Sequence, residues 1–194
     1  IYLITTHNKG ISSVQLAKDI SVTQKTAWFM AQRIRENFKM VMNEKLDGEV
    51  ELDETFVGGK NKNRHANKKV KNSQGRSFKD KVPVMGMLER GGNVVCKVVR
   101  DTSYKSLTAP ILKTVKRSAT IYSDEWIGYK TIGKLYAHHV VDHGHGQYVN
   151  GNAYTNTIEG FWGIMKRGLT AIYNHPSKKH LQRYANEFCF RYNT

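Results

Sequence analysis

Residues 83–100, PVMGMLER-GG-NVVCKVVR, carry two runs of strand-forming residues separated by Gly91-Gly92. A two-glycine loop between such runs is a strong hairpin signal, because the tightest turns require positive φ at one or both central positions. Just upstream, Glu49, Glu51, Asp53 and Thr55 alternate with Val50, Leu52, Glu54 and Phe56, ahead of Gly58-Gly59. That period of two marks a half-buried strand. Three consecutive strands therefore commit the chain to a sheet.

The rest of the chain supplies helices for that sheet. Helical spacing fits 106–116, the segment ATIYSDE (119–125) reads as a short strand ending at Asp124, a helix is expected through 126–134, and a strand at 138–141. Helices at about 156–172 and 177–192 close the chain. The order β-β-β-α-β-α-β-α-α predicts an α/β fold, a mixed sheet with helices on its faces. With 194 residues and 39% hydrophobic content, the chain can bury one core and a small appended module.

Residues 11–37, ISSVQLAKDISVTQKTAWFMAQRIREN, have the pattern of that module, two short helices meeting at Ile20-Ser21-Val22. Ser13 and Thr23 are the expected N-caps, and Leu16, Ala17, Ile20, Val22, Ala27 and Ile34 have the spacing of a shared core. Gln24, Lys25, Gln32 and Arg33 are then expected to face outward. This predicts a helix-turn-helix DNA-binding segment over 1–45 and a sheet domain over 46–194. A helical hairpin that only packs on its neighbour fits the same spacing. The chain opens at Ile1 rather than Met, within a helical pattern, so further sequence is expected upstream.

Lys and Arg number 31 against 16 Asp and Glu, a net charge of +15, which makes polyanions the natural partner. No apolar run approaches a membrane span and no signal peptide opens the chain, so a soluble cytoplasmic protein is expected. Residues 60–81 hold nine Lys or Arg and one acid, a basic loop in which Lys68, Lys69 and Lys71 are candidate phosphate contacts; a solvated charge run is the alternative. Cys96 and Cys189 lack metal or disulfide spacing and read as small buried hydrophobes.

Three acids then stand out: Asp53 in the first strand, Asp124 at the end of the fourth, and Glu159 on a late helix. Singly, each has an ordinary role, since Asp caps turns and Glu suits a helix's first turn. Asp80 and Asp101 are read as turn residues of that kind. Together, in so basic a chain, the three acids suggest two-metal chemistry on a nucleic acid backbone. Hard cations take oxygen ligands, and a pair of them clamps the attacking and leaving oxygens of a phosphodiester. Glu54 alternates away from Asp53 and Glu125 lies past its strand, so both are lesser candidates. His138, His139, Asp142, His143 and His145 lack the spacing of a closed zinc site; His143, Tyr148 and His175 read as loop residues. Trp126, Tyr129, Phe161 and Trp162 read as core, with base stacking the alternative for Trp162.

The motifs LDETFVGGK, YSDEWIGYK, TNTIEGFWGIMKRG and KKHLQRYANEFCFRYN together resemble the DDE transposases of prokaryotic insertion sequences, in the group with a zinc ribbon and helix-turn-helix upstream. The resemblance reaches back through GISSVQLAKDISVTQKTAWFMAQRIR and so covers nearly the whole chain. It implies an RNase H-like mixed sheet flanked by helices, with an N-terminal helix-turn-helix segment and a catalytic domain over 46–194. It further implies metal-dependent cleavage at insertion-sequence ends and strand transfer into target DNA, with Asp53, Asp124 and Glu159 as catalytic acids and ligands of Mg²⁺, for which Mn²⁺ substitutes.

Lys166 lies seven positions after Glu159, ~10.5 Å along a helix, where the family carries a cation for phosphate; Arg167 assists. Members of this group can have Asn in the third position, and Asn156 stands one turn before Glu159; the carboxylate is the better ligand, leaving Asn156 as its neighbour on the DNA side. Gln24, Lys25 and Arg33 would contribute to end recognition. The implied partner is double-stranded DNA, bound by a homodimer or higher oligomer at the nucleoid. Another nuclease or resolvase of this fold, and a domesticated regulator without catalysis, are the competing readings.

Overall fold

A computed structural model describes residues 1–7, 9–40, 44–59, 65–71, 77, 80–141, 155–174 and 176–194. The chain divides into two compact units, Lys45–Gly160 and Ile1–Glu44 with Phe161–Thr194.

The first of these units is built on a five-stranded mixed sheet. Strands β1 (Glu49–Val57), β2 (Val82–Glu89), β3 (Val94–Val98), β4 (Thr120–Asp124) and β5 (Ala137–Val141) lie in the order β3-β2-β1-β4-β5. The β2–β3 hairpin turns at Gly91, whose φ of +70° is the left-handed conformation that glycine adopts without strain. β1 pairs antiparallel with β2 but parallel with β4, and β4 is parallel to β5. Parallel neighbours need a crossover, and the chain between β1 and β4 passes through the β2–β3 hairpin and α4 (Tyr104–Thr114). Val50, Leu52, Val84, Met85, Met87, Leu88 and Ile121 are fully buried, which fixes the register of the central strands. This α/β sheet with helices is the expected class, and its strand order is compatible with an RNase H-like fold.

The expected helix over 126–134 is instead two 3₁₀ turns, Ile127–Tyr129 and Ile132–Lys134. Gly128 packs closely there, since a β-carbon would lie 2.7 Å from the Thr102 carbonyl. Much of the basic loop lies outside the described residues, as do Asp142, His143, His145, Tyr148 and His175. Within it, Ala66–Lys68 form a 3₁₀ turn, and Lys68, Lys69 and Lys71 are exposed.

The second unit is helical. It contains α1 (Tyr2–Thr5), α2 (Ser13–Asp19), α3 (Gln24–Asn37), α6 (Leu181–Asn193) and the larger part of α5 (Asn156–Ala171). Thr23 caps α3 by accepting from the Thr26 amide at 3.2 Å, as expected, whereas α2 is capped by Ser12 rather than Ser13. Ser21, at φ +54°, makes the break between them. Leu16, Ala17 and Ala27 join Ile4, Ile11, Ala31 and Phe38 in one core, with Ile20 and Ile34 at its margin.

Two sequence expectations fail here. Val22 is exposed, and Gln32 is buried, donating to the Tyr184 hydroxyl at 3.0 Å. The second follows from α6, whose packing against α3 selects a different stripe of that helix than the α2–α3 pair alone suggests, while Val22 lies in the turn ahead of α3. α6 itself starts later than the spacing predicts, at Leu181. Gly168 allows α5 and α6 to meet, because a β-carbon there would lie 2.3 Å from the Phe188 ring. Phe161 and Trp162 are buried as expected, which removes Trp162 as a stacking platform, and both cysteines are buried.

Candidate active site

Pairing between β1 and β4 runs from Glu49–Thr120 to Leu52–Ser123. Continuing that register by one step sets Asp53 beside Asp124. Paired residues on parallel strands project to the same side of the sheet, so these carboxylates share a face. Asp53 Oδ1 accepts from the Glu54 amide at 2.8 Å, and Asp124 Oδ1 from the Trp126 amide at 3.1 Å. The second of these bonds is the turn-capping role open to any strand-end Asp.

On the other face, Glu54 accepts a hydrogen bond from the Tyr129 hydroxyl. Tyr129 is fully buried, and its pKa is pushed well above the ordinary tyrosine value, first by burial, then by the charge and hydrogen bond of Glu54, then by the charges of Asp53 and Asp124. One phenol thus registers both aspartates. It also pins the turn after β4 to β1, assisted by Trp126, whose indole donates to the Thr102 carbonyl at 3.0 Å.

Glu159 lies in the first turn of α5, exposed, with its amide donating to the Thr155 carbonyl at 3.2 Å. Asn156 is the first residue of the helix and is also exposed. What ties this turn to the sheet is Glu51, two residues before Asp53 on the same face. Its Oε2 accepts from the Ile158 amide at 3.0 Å and its Oε1 from the Thr157 hydroxyl at 3.1 Å. Arg90 donates to Glu51 at 3.0 Å and to Glu49 at 2.9 Å, and its guanidinium lies 4.1 Å over the Tyr122 ring. Tyr122 in turn donates to Glu49 and stacks on His139.

The sequence singles out neither Glu51 nor Tyr129 as functional. A signal lies in the pattern Glu49-x-Glu51-x-Asp53, since an acid buried on that strand face, as Glu51 is, needs cations and donors to meet it.

Asp53 and Asp124 are thus neighbours by register, and the start of the Glu159 helix is fastened to β1 through Glu51. Among the described residues no group of three His, Cys, Asp or Glu side chains is arranged to hold a metal ion. Carboxylate oxygens on adjacent strands nevertheless suit Mg²⁺, which is often held by only one or two carboxylates together with substrate phosphates and water. His138 and His139 alternate across β5: His138 meets Ser123 at 2.9 Å, and burial, then the neighbouring His139, lowers its pKa. Asp101 behaves as a turn residue, its carboxyl held to about 2 by the Ser103 and Ser106 hydroxyls and the Ser103 amide.

In the helical unit, Gln24 donates to Ser13 at 2.8 Å, while Lys25 and Arg33 are exposed on α3 with Phe29 and Met30. Lys166 and Arg167 are exposed on α5. Arg167 lines an open pocket of about 480 Å³ with Lys9, Phe161, Ile164 and Tyr192.

The ISXO2-like transposase domain matches residues 45–193. The chain belongs to that transposase family. An uncharacterized protein in transposable element ISH50 of Halobacterium salinarum is 27% identical over 189 residues, an alignment covering 91% of this chain and 63% of that protein. The transposase chain therefore spans less than two thirds of this relative's length. Both comparisons support membership of an insertion-sequence transposase family. Among the described residues of the transposase, no helix is long and apolar enough to cross a membrane.

Proposed function

We propose that this chain is the end-cleaving and strand-joining part of an insertion-sequence transposase, with an RNase H-like catalytic core and a helix-turn-helix formed by α2 and α3. The observation that carries the reading is the register that sets Asp53 beside Asp124 on one sheet face. Asp53, Asp124 and Glu159 would hold Mg²⁺. Bound there, the metal supplies Lewis-acid stabilisation of phosphoryl oxygens and lowers the pKa of water or a DNA hydroxyl.

The protein's own residues would do the rest. Asp53 and Asp124 are held by the amides of Glu54 and Trp126, so the carboxylates are oriented before substrate arrives. Lys166 and Arg167 would hold phosphate, and Asn156 would contact the strand near Glu159. A supercoiled plasmid carrying matched element ends tests the reading: nicked or cut product at the ends is expected with Mg²⁺ and none with EDTA. Sequence-specific binding without cleavage in Mg²⁺ or Mn²⁺ would favour a non-catalytic regulator instead.

The basic surface is proposed to position DNA through phosphates. Neutralising Lys68, Lys69 and Lys71 together should weaken binding equally on all sequences and flatten the slope of log K against log salt by up to ~0.9 per lost contact. An unchanged slope in salt titrations would make these lysines solvated bystanders. α3 carries a different demand, since base contacts discriminate and phosphate contacts do not. Replacing Lys25 and Arg33 by Ala should lower the preference for element ends over random DNA, each lost base contact being worth roughly 1–3 kcal/mol. Equal losses on both DNAs, in competition binding, would remove α3 from sequence reading.

A further inference from the structure

We propose that Glu51 is a positioning residue: its buried carboxylate anchors the first turn of α5 to β1 and so sets where Glu159 presents its side chain relative to Asp53. The inference rests on the catalytic reading above, and it concerns residues of one compact unit only.

Glu51 is 0% exposed, and donors meet both of its oxygens. Oε1 takes the Arg90 Nε and the Thr157 hydroxyl; Oε2 takes the Ile158 amide. The Ile158 amide is one of the helix-start donors that have no partner within the helix. A carboxylate at that end also meets the positive pole of the helix. Arg90 is itself held, by Glu49 and by the ring of Tyr122.

Glu159 follows Ile158 directly, and Asp53 follows Glu51 by two positions on the same strand face. The anchor therefore joins the two backbone segments that carry the first and third acids, at the residue next to one and on the same face as the other. Without it, the first turn of α5 would be free to fray by the small distances that matter for metal and phosphate placement.

Glu51→Gln keeps the size but offers one acceptor oxygen where three donors converge on two, so at least one donor faces an amide NH₂. Thr157→Val removes a single donor from the helix side, and Thr157→Ser restores it. Amide hydrogen exchange and single-turnover cleavage of pre-bound end DNA should be measured on all three beside the wild type. Expected are faster exchange at Ile158 and Glu159 in Glu51→Gln and Thr157→Val, wild-type protection in Thr157→Ser, and DNA affinity within about twofold of wild type. Cleavage should fall by up to about 10²-fold in Glu51→Gln, the scale of an ångström-level misplacement. It should fall less in Thr157→Val and recover in Thr157→Ser.

Unchanged exchange in Glu51→Gln would overturn the anchor, and loosened exchange with wild-type cleavage would overturn its positioning role. If Glu51→Gln fails to fold, the Thr157 pair decides the question alone. A wild-type chain that protects Ile158 but does not cleave would sink the catalytic reading, and the proposal with it, while a cleaving wild type with unprotected Ile158 would sink the anchor only.

Discussion

Asp53→Asn and Asp124→Asn are each expected to reduce cleavage of element-end DNA by about 10²–10³-fold, the loss typical of removing one preorganised electrostatic group from a reacting centre. The two carboxylates are neighbours across the β1–β4 pairing, so neither is able to take over the other's place. Asparagine preserves the side chain's shape and the oxygen that accepts from the Glu54 or Trp126 amide, which keeps the local turn intact. DNA binding should remain or tighten slightly, since a negative charge near phosphates has been removed. Single-turnover cleavage and a binding titration on the same preparations separate the two quantities. Near-normal cleavage by either variant would exclude that aspartate from the chemistry.

The second large effect falls on stability and lies in the helical unit. Glu187 is 0% exposed and accepts from Arg35 at 2.6 Å, from the Tyr173 hydroxyl at 2.7 Å, and from Arg191. Arg35 also lies 4.2 Å over the Tyr184 ring, and Arg191 donates to the Ile4 carbonyl at 3.0 Å, so this one acid links α1, α3 and α6. Burial pulls the Arg35 pKa down, but the charge and hydrogen bond of Glu187 outweigh it and hold the guanidinium firmly protonated. Glu187→Gln leaves two buried cations without their carboxylate. Breaking a buried ion pair from one side costs about 3–5 kcal/mol. Thermal melting followed by circular dichroism should show the midpoint falling by roughly 6–20 °C. A loss below about 1 kcal/mol would mean that the unit repacks or hydrates around the change.

The same contrast explains what could be read in the sequence. Local patterns gave the strands well, because Gly91-Gly92 and the alternation of 49–56 are decided within a few residues. Thr23 was legible as a cap for the same reason. The spacing of 126–134 suits a helix, but the segment packs against distant chain that local patterns do not report, as where Gly128 meets the Thr102 carbonyl 26 positions back. Gln32 was misread because α3 buries the side that α6 covers, and that partner lies about 150 residues away. The candidate acids were visible only as a constellation, and the family resemblance named them. Their supports, Glu51, Arg90 and Tyr129, were hidden because a buried acid looks like a surface one until its donors are seen.

Joining of a pre-cut end tests the central claim most directly. A short duplex ending in the element's terminal 3′-hydroxyl is incubated with the protein, Mg²⁺ and a target plasmid, beside an otherwise identical duplex ending in a 3′-deoxy nucleotide. The account predicts covalent joining of the first duplex to the plasmid, none of the second, and none with Asp53→Asn or Asp124→Asn. Stable binding of the 3′-hydroxyl duplex with no joined product, or joining that survives loss of either aspartate, would contradict it.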